Sequence, residues 1–152
     1  MDTFFREYLN RLNDIHSEVN KALEALPQEA LDFSPAEDIP SICVLIVHLT
    51  GAERYWIGDA AAMNPSDRNR EAEFQARGLS ASDLKSRLDG VMEYAQTRLH
   101  SMAIQDLTDL RISPRDGRQF TVAWALLHAL EHTAIHLGHI QIIRQIWHQR
   151  HP

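Results

Sequence analysis

Four segments of this chain carry apolar residues at every third or fourth position, and this repeat constrains the fold more than any other feature. Such spacing places the apolar side chains on one face of an α-helix. Helix-breaking residues interrupt the repeat between segments, as at Pro27 and at Asn64-Pro65. The sequence therefore predicts four helices, over residues 4–26, 40–62, 80–102 and 121–147.

Local signals at the helix ends agree with this division. Pro40 suits the first turn of the second helix. Ser80, followed three residues later by Asp83, resembles a capping box that opens the third helix. Turn signals at Pro114 and at Asp116-Gly117 predict a connecting segment before the fourth helix. Four helices of similar length with long connections predict an all-α fold, a four-helix bundle that can include a crossover.

Composition narrows the classes of function. A chain of 152 residues with 44% hydrophobic content suits a single domain, spanning residues 1–152, with a core large enough to need no disulfide. The formal charge of −6 argues against nucleic acid or an anionic membrane as a partner. The longest apolar run, residues 42–49, is far shorter than the ~20 residues of a membrane span.

The only cysteine, Cys43, lies in that apolar run. One cysteine cannot form an internal disulfide, and the N-terminal sequence meets charged residues too early for a signal peptide, so we expect a cytoplasmic protein. Burial raises the pKa of a thiol and makes it a poor nucleophile. Cys43 is therefore predicted to pack in the core.

The fourth predicted helix carries a cluster of histidines. His128, His132, His136 and His139 fall within an arc of about 80° on a helical wheel, next to apolar positions that face the rest of the protein. Residues four apart stack one turn above the other, so both imidazoles of such a pair can reach one ion. His132 and His136 are therefore the first predicted pair of metal ligands.

A fifth histidine, His48, lies inside the apolar second helix. Alone, such a residue is most often a packed core histidine, but four-helix bundles build metal sites from facing helices, and this favours ligation. Three neutral imidazoles suit Zn²⁺ or Ni²⁺ and leave a position for water or substrate. A closed structural site would need a fourth ligand, and His128 or His139 would be either that ligand or an outer partner.

Other motifs near these histidines give weaker evidence about function. His128-x-x-Glu131-His132 matches the signature of inverted zinc proteases, but the chain lacks their size and strand patterns. Glu53 and Glu131 lie about 60° or more from the histidine face, so no catalytic base is assigned. The remaining histidines lack partners at ligand spacing and are predicted to lie at the surface: His16, His100, His148 and His151.

Three stretches resemble the DinB-like four-helix metal-binding proteins, a family that includes small-thiol S-transferases. They are PSICVLIVHLTGAERYWIGD, FQARGLSASDLKSRL and FTVAWALLHALEHTAIHLGHIQIIRQ. The resemblance spans nearly the whole chain and implies an up-down-down-up bundle with a long crossover, frequent homodimers, and Zn²⁺ or Ni²⁺ as the ion. The family's ligands match His48, His132 and His136 here, although some relatives carry Glu at the place of His132.

The expected function follows from what occupies the open metal position. A low-molecular-weight thiol would be deprotonated there and held for attack on an electrophile, which is S-transfer. A bound water would instead support hydrolysis. In both cases the partner is a small molecule. A non-enzymatic dimeric bundle that binds, senses or stores metal is a further alternative, and so is a metal-free polar core, although buried imidazoles without partners are costly.

Overall fold

A computed structural model describes residues 1–113 and 115–152, so Pro114, one of the predicted turn residues, lies outside the described residues. The prediction of an all-α four-helix bundle is confirmed. Two single-turn helices, α2 (Gln28–Leu31) and α4 (Arg70–Glu73), lie in the connections. The four long helices are α1 (Thr3–Leu23), α3 (Ile42–Glu53), α5 (Ala81–His100) and α6 (Val122–Arg150).

The packing order places the histidine-bearing helices side by side. Helix α1 packs against α5 and α6, and α3 packs against the same two helices, so α1 and α3 lie on one diagonal of the bundle. The connection from α3 to α5, which holds α4, is the long crossover that the resemblance implies. Because α3 and α6 are neighbours, His48 and the histidines of α6 face a common space.

Capping side chains fix the starts of three long helices. The predicted capping box is present: Asp83 N–H donates to Ser80 Oγ over 3.1 Å, and Ser80 N–H donates to Asp83 Oδ2 over 2.9 Å. Ser41 caps α3 and Thr121 caps α6 in the same way, with the side-chain oxygen accepting a backbone N–H three residues on. Helix α1 ends at Leu23 rather than at residue 26, because Ala25 adopts a positive φ of 60° that no α-helix can contain.

The second predicted helix changes geometry partway. After Glu53 the α-helix continues as a π-helical segment, Arg54–Ala61. In a π-helix each backbone bond spans five residues, which places Arg54 beside Asp59, and their side chains pair over 2.7 Å. Gly58 leaves room for the ends of the Arg54 and Tyr94 side chains, which a Cβ at this position would overlap. Helical periodicity alone does not predict this widening.

The segment before α6 contains a hairpin that the sequence does not predict. Strands β1 (Leu110–Ile112) and β2 (Gln119–Thr121) pair antiparallel, with Arg111 opposite Phe120. The hairpin is too short to change the fold class, and it leads directly into the N-terminus of α6. None of the helices in the described part of the chain combines the length and apolarity that a bilayer crossing requires.

Candidate metal centre

Two neighbouring helices bring three histidines together. His48 comes from α3, and His132 and His136 come from consecutive turns of α6. One ligand atom of each residue lies within 4.8 Å of the others. The His48 ring centroid lies 5.1 Å from that of His132 and 5.2 Å from that of His136. The structure thus unites the three residues that the sequence selected as a ligand set.

The spacing of two of the three donors fits a tetrahedral ion. The Nε2 atoms of His132 and His136 face each other at 3.2 Å. Two imidazoles bound to zinc at 2.0–2.1 Å in a tetrahedron would hold their nitrogens about 3.3 Å apart. In addition, Nδ1 of His132 is buried and has no hydrogen-bond partner among the described residues. The two Nε2 atoms, from two different rings, therefore lie at the separation expected where both bind one ion.

Electrostatics keeps these imidazoles neutral, as ligands must be. Burial, together with the neighbouring His136 and His48 rings, lowers the pKa of His132 to about 3. Burial and the His48 and His139 rings lower the pKa of His136 to about 4. Burial also lowers the pKa of His48, although the hydrogen bond that His48 donates to Glu73 opposes this shift. At neutral pH all three offer lone pairs.

These shifts predict a pH dependence for the metal-free protein. The unfolded chain takes up protons at His132 and His136 near pH 6.5, whereas the folded chain does not until about pH 3 to 4. Because the unfolded state binds more protons in this window, stability is greatest above pH 6.5 and declines as the pH falls toward 4. We expect the thermal midpoint in chelator to fall accordingly, and to fall less steeply in a His132→Gln/His136→Gln variant. Equal slopes would contradict the assignment.

A carboxylate orients His48 from behind. Nδ1 of His48 lies 2.8 Å from Glu73 Oε2, which leaves Nε2 for the metal. Glu73 is in turn held by Arg68, whose Nε and Nη2 donate over 2.6 and 2.9 Å. Gly51 makes the space for this carboxylate, since a Cβ there would overlap Glu73 Oε1. Carboxylate–histidine–metal arrangements fix the ring and raise its basicity, and this one anchors the crossover to the site.

We expect Glu73→Gln to lower zinc affinity by about 10–100-fold, the usual effect of removing an outer partner of a ligand. Competition with a chromophoric chelator measures this directly. Glu71→Gln, in the same short helix α4 but exposed to solvent, is the matched control and should bind zinc as the wild type does. Equal affinities for the two variants would show that Glu73 does not support His48.

The other two histidines of the cluster take different positions. His128 stacks on Trp124 with ring centroids 4.8 Å apart and an angle of 9° between the planes. His139 is exposed, and its Nδ1 lies 3.4 Å from Nδ1 of His136. Among the described residues, neither joins the group that converges on one point. Glu131 is exposed, and its Oε2 lies 3.9 Å from His128 Nδ1.

A cavity of about 440 Å³ opens beside the histidines. His48 and His132 form part of its wall, and the side chains of Tyr55 and Trp56 from the π-helical segment form another part. His128 closes it toward Trp56, with ring centroids 4.7 Å apart. The π-helical geometry therefore shapes the space next to the candidate ligands. The volume suits a small molecule.

One prediction about the histidines is wrong. His16 is buried rather than exposed, and its Nε2 lies 2.9 and 3.0 Å from the two oxygens of Glu53. Thr133 Oγ1 also donates to Glu53, over 2.7 Å, so this carboxylate joins α1, α3 and α6 at the centre of the bundle. The signal was present in the sequence, since His16 follows Leu12 by four residues and precedes Val19 by three on the buried face of α1.

Comparison with protein families decides the relationship. The model of the family described as mycothiol S-transferase matches residues 7–149. The chain belongs to this family. The resemblance to DinB-like proteins is thereby confirmed, and with it a relationship to thiol-transferring proteins. A search of the curated proteins finds no significant match to this sequence.

Two solved structures share the fold. A conserved protein of Enterococcus faecalis superposes with a TM-score of 0.76 at 15% identity, covering 95% of this chain and 96% of its own. YfiT of Bacillus subtilis has the same TM-score at 13% identity, covering 97% of this chain and 90% of its own. YfiT is described as a probable metal-dependent hydrolase with an unusual four-helix bundle topology. At these identities the likeness is one of fold.

Proposed function

We propose that this member of the mycothiol S-transferase family is a metal-dependent thiol S-transferase in which His48, His132 and His136 hold a divalent ion, Zn²⁺ or Ni²⁺. The observation that carries the proposal is the convergence of three uncharged imidazoles, two of which, His48 and His132, line a cavity sized for small molecules. Three protein ligands leave a tetrahedral ion one position for a substrate. When bound, such an ion lowers the pKa of a coordinated thiol.

The chain's own residues supply binding and orientation. Glu73 holds the His48 ring with Nε2 toward the site. Trp56 and Tyr55 give the cavity an aromatic wall against which the carbon skeleton of a substrate packs. The cavity also limits the approach of an electrophile to the space between these rings and the histidines. This places the two reactants next to one another, which is a large part of catalysis for a bimolecular step.

A hydrolase is the second candidate, because the same open position suits a water. The carboxylates that line the cavity favour the transferase over the hydrolase. Asp59 is the only carboxylate among the described residues that line it, and Asp59 is already bonded to Arg54 and to Ser66. Hydrolysis gains from a positioned base that accepts the proton of water. A thiol whose proton is lost on coordination needs no such base.

The test compares the two reactions on one preparation. Zinc-loaded protein is supplied with mycothiol and a chloroarene electrophile, and separately with a p-nitrophenyl ester without thiol. We expect thiol-dependent formation of the thioether, abolished by His132→Ala and retained by His139→Ala. Ester hydrolysis that needs no thiol and depends on His132 would replace this proposal with the hydrolase, and inactivity in both assays would leave a metal-binding bundle.

A homodimer belongs to the same proposal, since the resemblance implies it. Exposed apolar side chains along one face of α6 agree with such a contact: Trp124, Leu127, Ile135 and Ile142. Sedimentation velocity tests this part, and a monomer at micromolar concentration would contradict it. The family relationship also leads us to propose a small-molecule thiol as the partner rather than nucleic acid.

A further inference from the structure

The cavity beside the histidines has a charge opposite to that of the whole protein. The chain carries a formal charge of −6. Nevertheless, three arginines line this cavity: Arg68, Arg70 and Arg115. The one carboxylate in the described lining, Asp59, is neutralised by Arg54 at 2.7 Å. A positive pocket on an acidic protein concentrates anions at that place and repels them elsewhere.

Two of the three arginines have no carboxylate partner in the described part of the chain. Arg68 is committed to Glu73 through two hydrogen bonds. Arg70 and Arg115 form no ion pair among residues 1–113 and 115–152. Both are exposed, so their guanidinium groups lie on the solvent side of the cavity, with donors available to a ligand.

Arg70 is placed close to the candidate metal ligands. Its guanidinium carbon lies 5.0 Å from the centroid of the Phe74 ring, and that ring lies 4.8 Å from the ring of His48. Arg115 belongs to the segment after β1, and its backbone N–H donates to Ser113 Oγ. Two cations without a carboxylate partner among the described residues thus line the same cavity as His48 and His132.

We propose that this cavity binds a small substrate that carries a carboxylate, with Arg70 and Arg115 receiving the carboxylate while the reacting end lies at the histidines. Guanidinium groups bind carboxylates through paired parallel hydrogen bonds, which orient the ligand as well as hold it. The reaction in which this substrate takes part rests on the proposed function, but the binding of the carboxylate does not. The carboxylate belongs either to the thiol or to the electrophile.

The binding test uses succinate as the probe and succinamide as its neutral match. Side-chain Nε–H signals of the arginines are followed by NMR in the protein as purified, and the signals of Arg70 and Arg115 are assigned from Arg70→Gln and Arg115→Gln. We expect saturable shifts with succinate only, and affinity about 10–100-fold weaker in each variant, as for the loss of a charged hydrogen-bond donor. Arg11→Gln, which removes one exposed charge from α1, is the matched control and should bind as the wild type.

Three results would overturn the proposal. They are equal shifts with succinamide, the absence of saturation, and an equal loss of affinity in Arg11→Gln, which would show that only the net charge matters. The same titration of His132→Ala separates this inference from the metal centre. Succinate binding that persists in this variant supports the arginine subsite, and binding that disappears with the histidine assigns the carboxylate to the metal and overturns it.

Turnover with matched substrates identifies the carboxylate-bearing partner. In one arm, iodoacetate is compared with iodoacetamide against a common neutral thiol. In the other arm, 3-sulfanylpropanoate is compared with 3-sulfanylpropanamide against a common neutral electrophile. In each reaction a carbon–sulfur bond forms, iodide or another halide leaves, and the thiol proton goes to solvent.

We expect one arm to prefer its carboxylate member about tenfold or more in kcat/KM, and this preference to vanish in Arg70→Gln. Turnover without preference in either arm would overturn the assignment of a substrate carboxylate. If no pair reacts while succinate still binds through Arg70 and Arg115, the proposed transferase reaction fails and the anion subsite stands.

Discussion

Removal of the His132 imidazole is expected to empty the metal centre. A wild-type chain should carry close to one equivalent of Zn²⁺ or Ni²⁺, and His132→Ala should lose at least about a hundredfold in affinity, more than the 10–100-fold that outer partners contribute. The substitution removes one of the two nitrogens that approach each other to 3.2 Å. His136 on α6 and His48 on α3 then remain as two donors on two helices. His48→Ala should behave in the same way, because His48 is the candidate ligand that α3 contributes to the group of described residues.

Elemental mass spectrometry of untagged protein, purified without nickel resin, measures this prediction. His128→Ala and His139→Ala are the controls, since both lie on the same face of α6 but outside the converging group. We expect both to keep the metal. Metal retained after loss of His132 and His48, or absent from the wild type, would remove the basis of the enzyme proposal and favour a bundle with a packed histidine core.

The bundle and the proximity of His132 to His136 were accessible from the sequence because both depend on spacing along helices. A repeat of three to four residues fixes which face of a helix is buried, and His132 and His136 lie one turn apart whatever surrounds them. Ser80 and Asp83 form a cap within a single turn, so that signal is also local. Features encoded within one helix were therefore predicted well.

The contacts that hold the candidate ligands and the bundle in place could not be predicted from the sequence, because they join segments that are distant along the chain. Glu73 lies 25 residues from His48, in a polar stretch whose composition is typical of a solvated loop. Glu53 meets His16 across 37 residues and Thr133 across 80. The π-helical segment likewise coincides with contacts between residues that are distant in sequence, such as that of Arg54 with the Asn64 carbonyl. Helical wheels carry no information about such pairs.

Loss of the Glu53 carboxylate is expected to have the largest effect on stability. Glu53 is fully buried and accepts a hydrogen bond from Thr133 Oγ1. Its two carboxylate oxygens lie 2.9 and 3.0 Å from His16 Nε2. Removing one member of a buried polar pair strands the other, which costs about 3–5 kcal/mol. For a domain of this size, Glu53→Ala should then lower the thermal midpoint by roughly 6 to 20 °C.

Urea unfolding of Glu53→Ala beside matched variants tests whether the loss comes from these buried contacts and not from a general sensitivity of the core. Glu131→Ala, an exposed residue of α6, should change the free energy of unfolding by less than about 0.5 kcal/mol. Glu53→Gln keeps an oxygen for Thr133 and should lose less than Glu53→Ala. In a cycle with His16→Leu, the losses from this substitution and from Glu53→Ala should not add, because each substitution removes the partner of the other residue. Additive losses would show that His16 and Glu53 stabilise the bundle independently, and the buried link between α1, α3 and α6 would have to be abandoned.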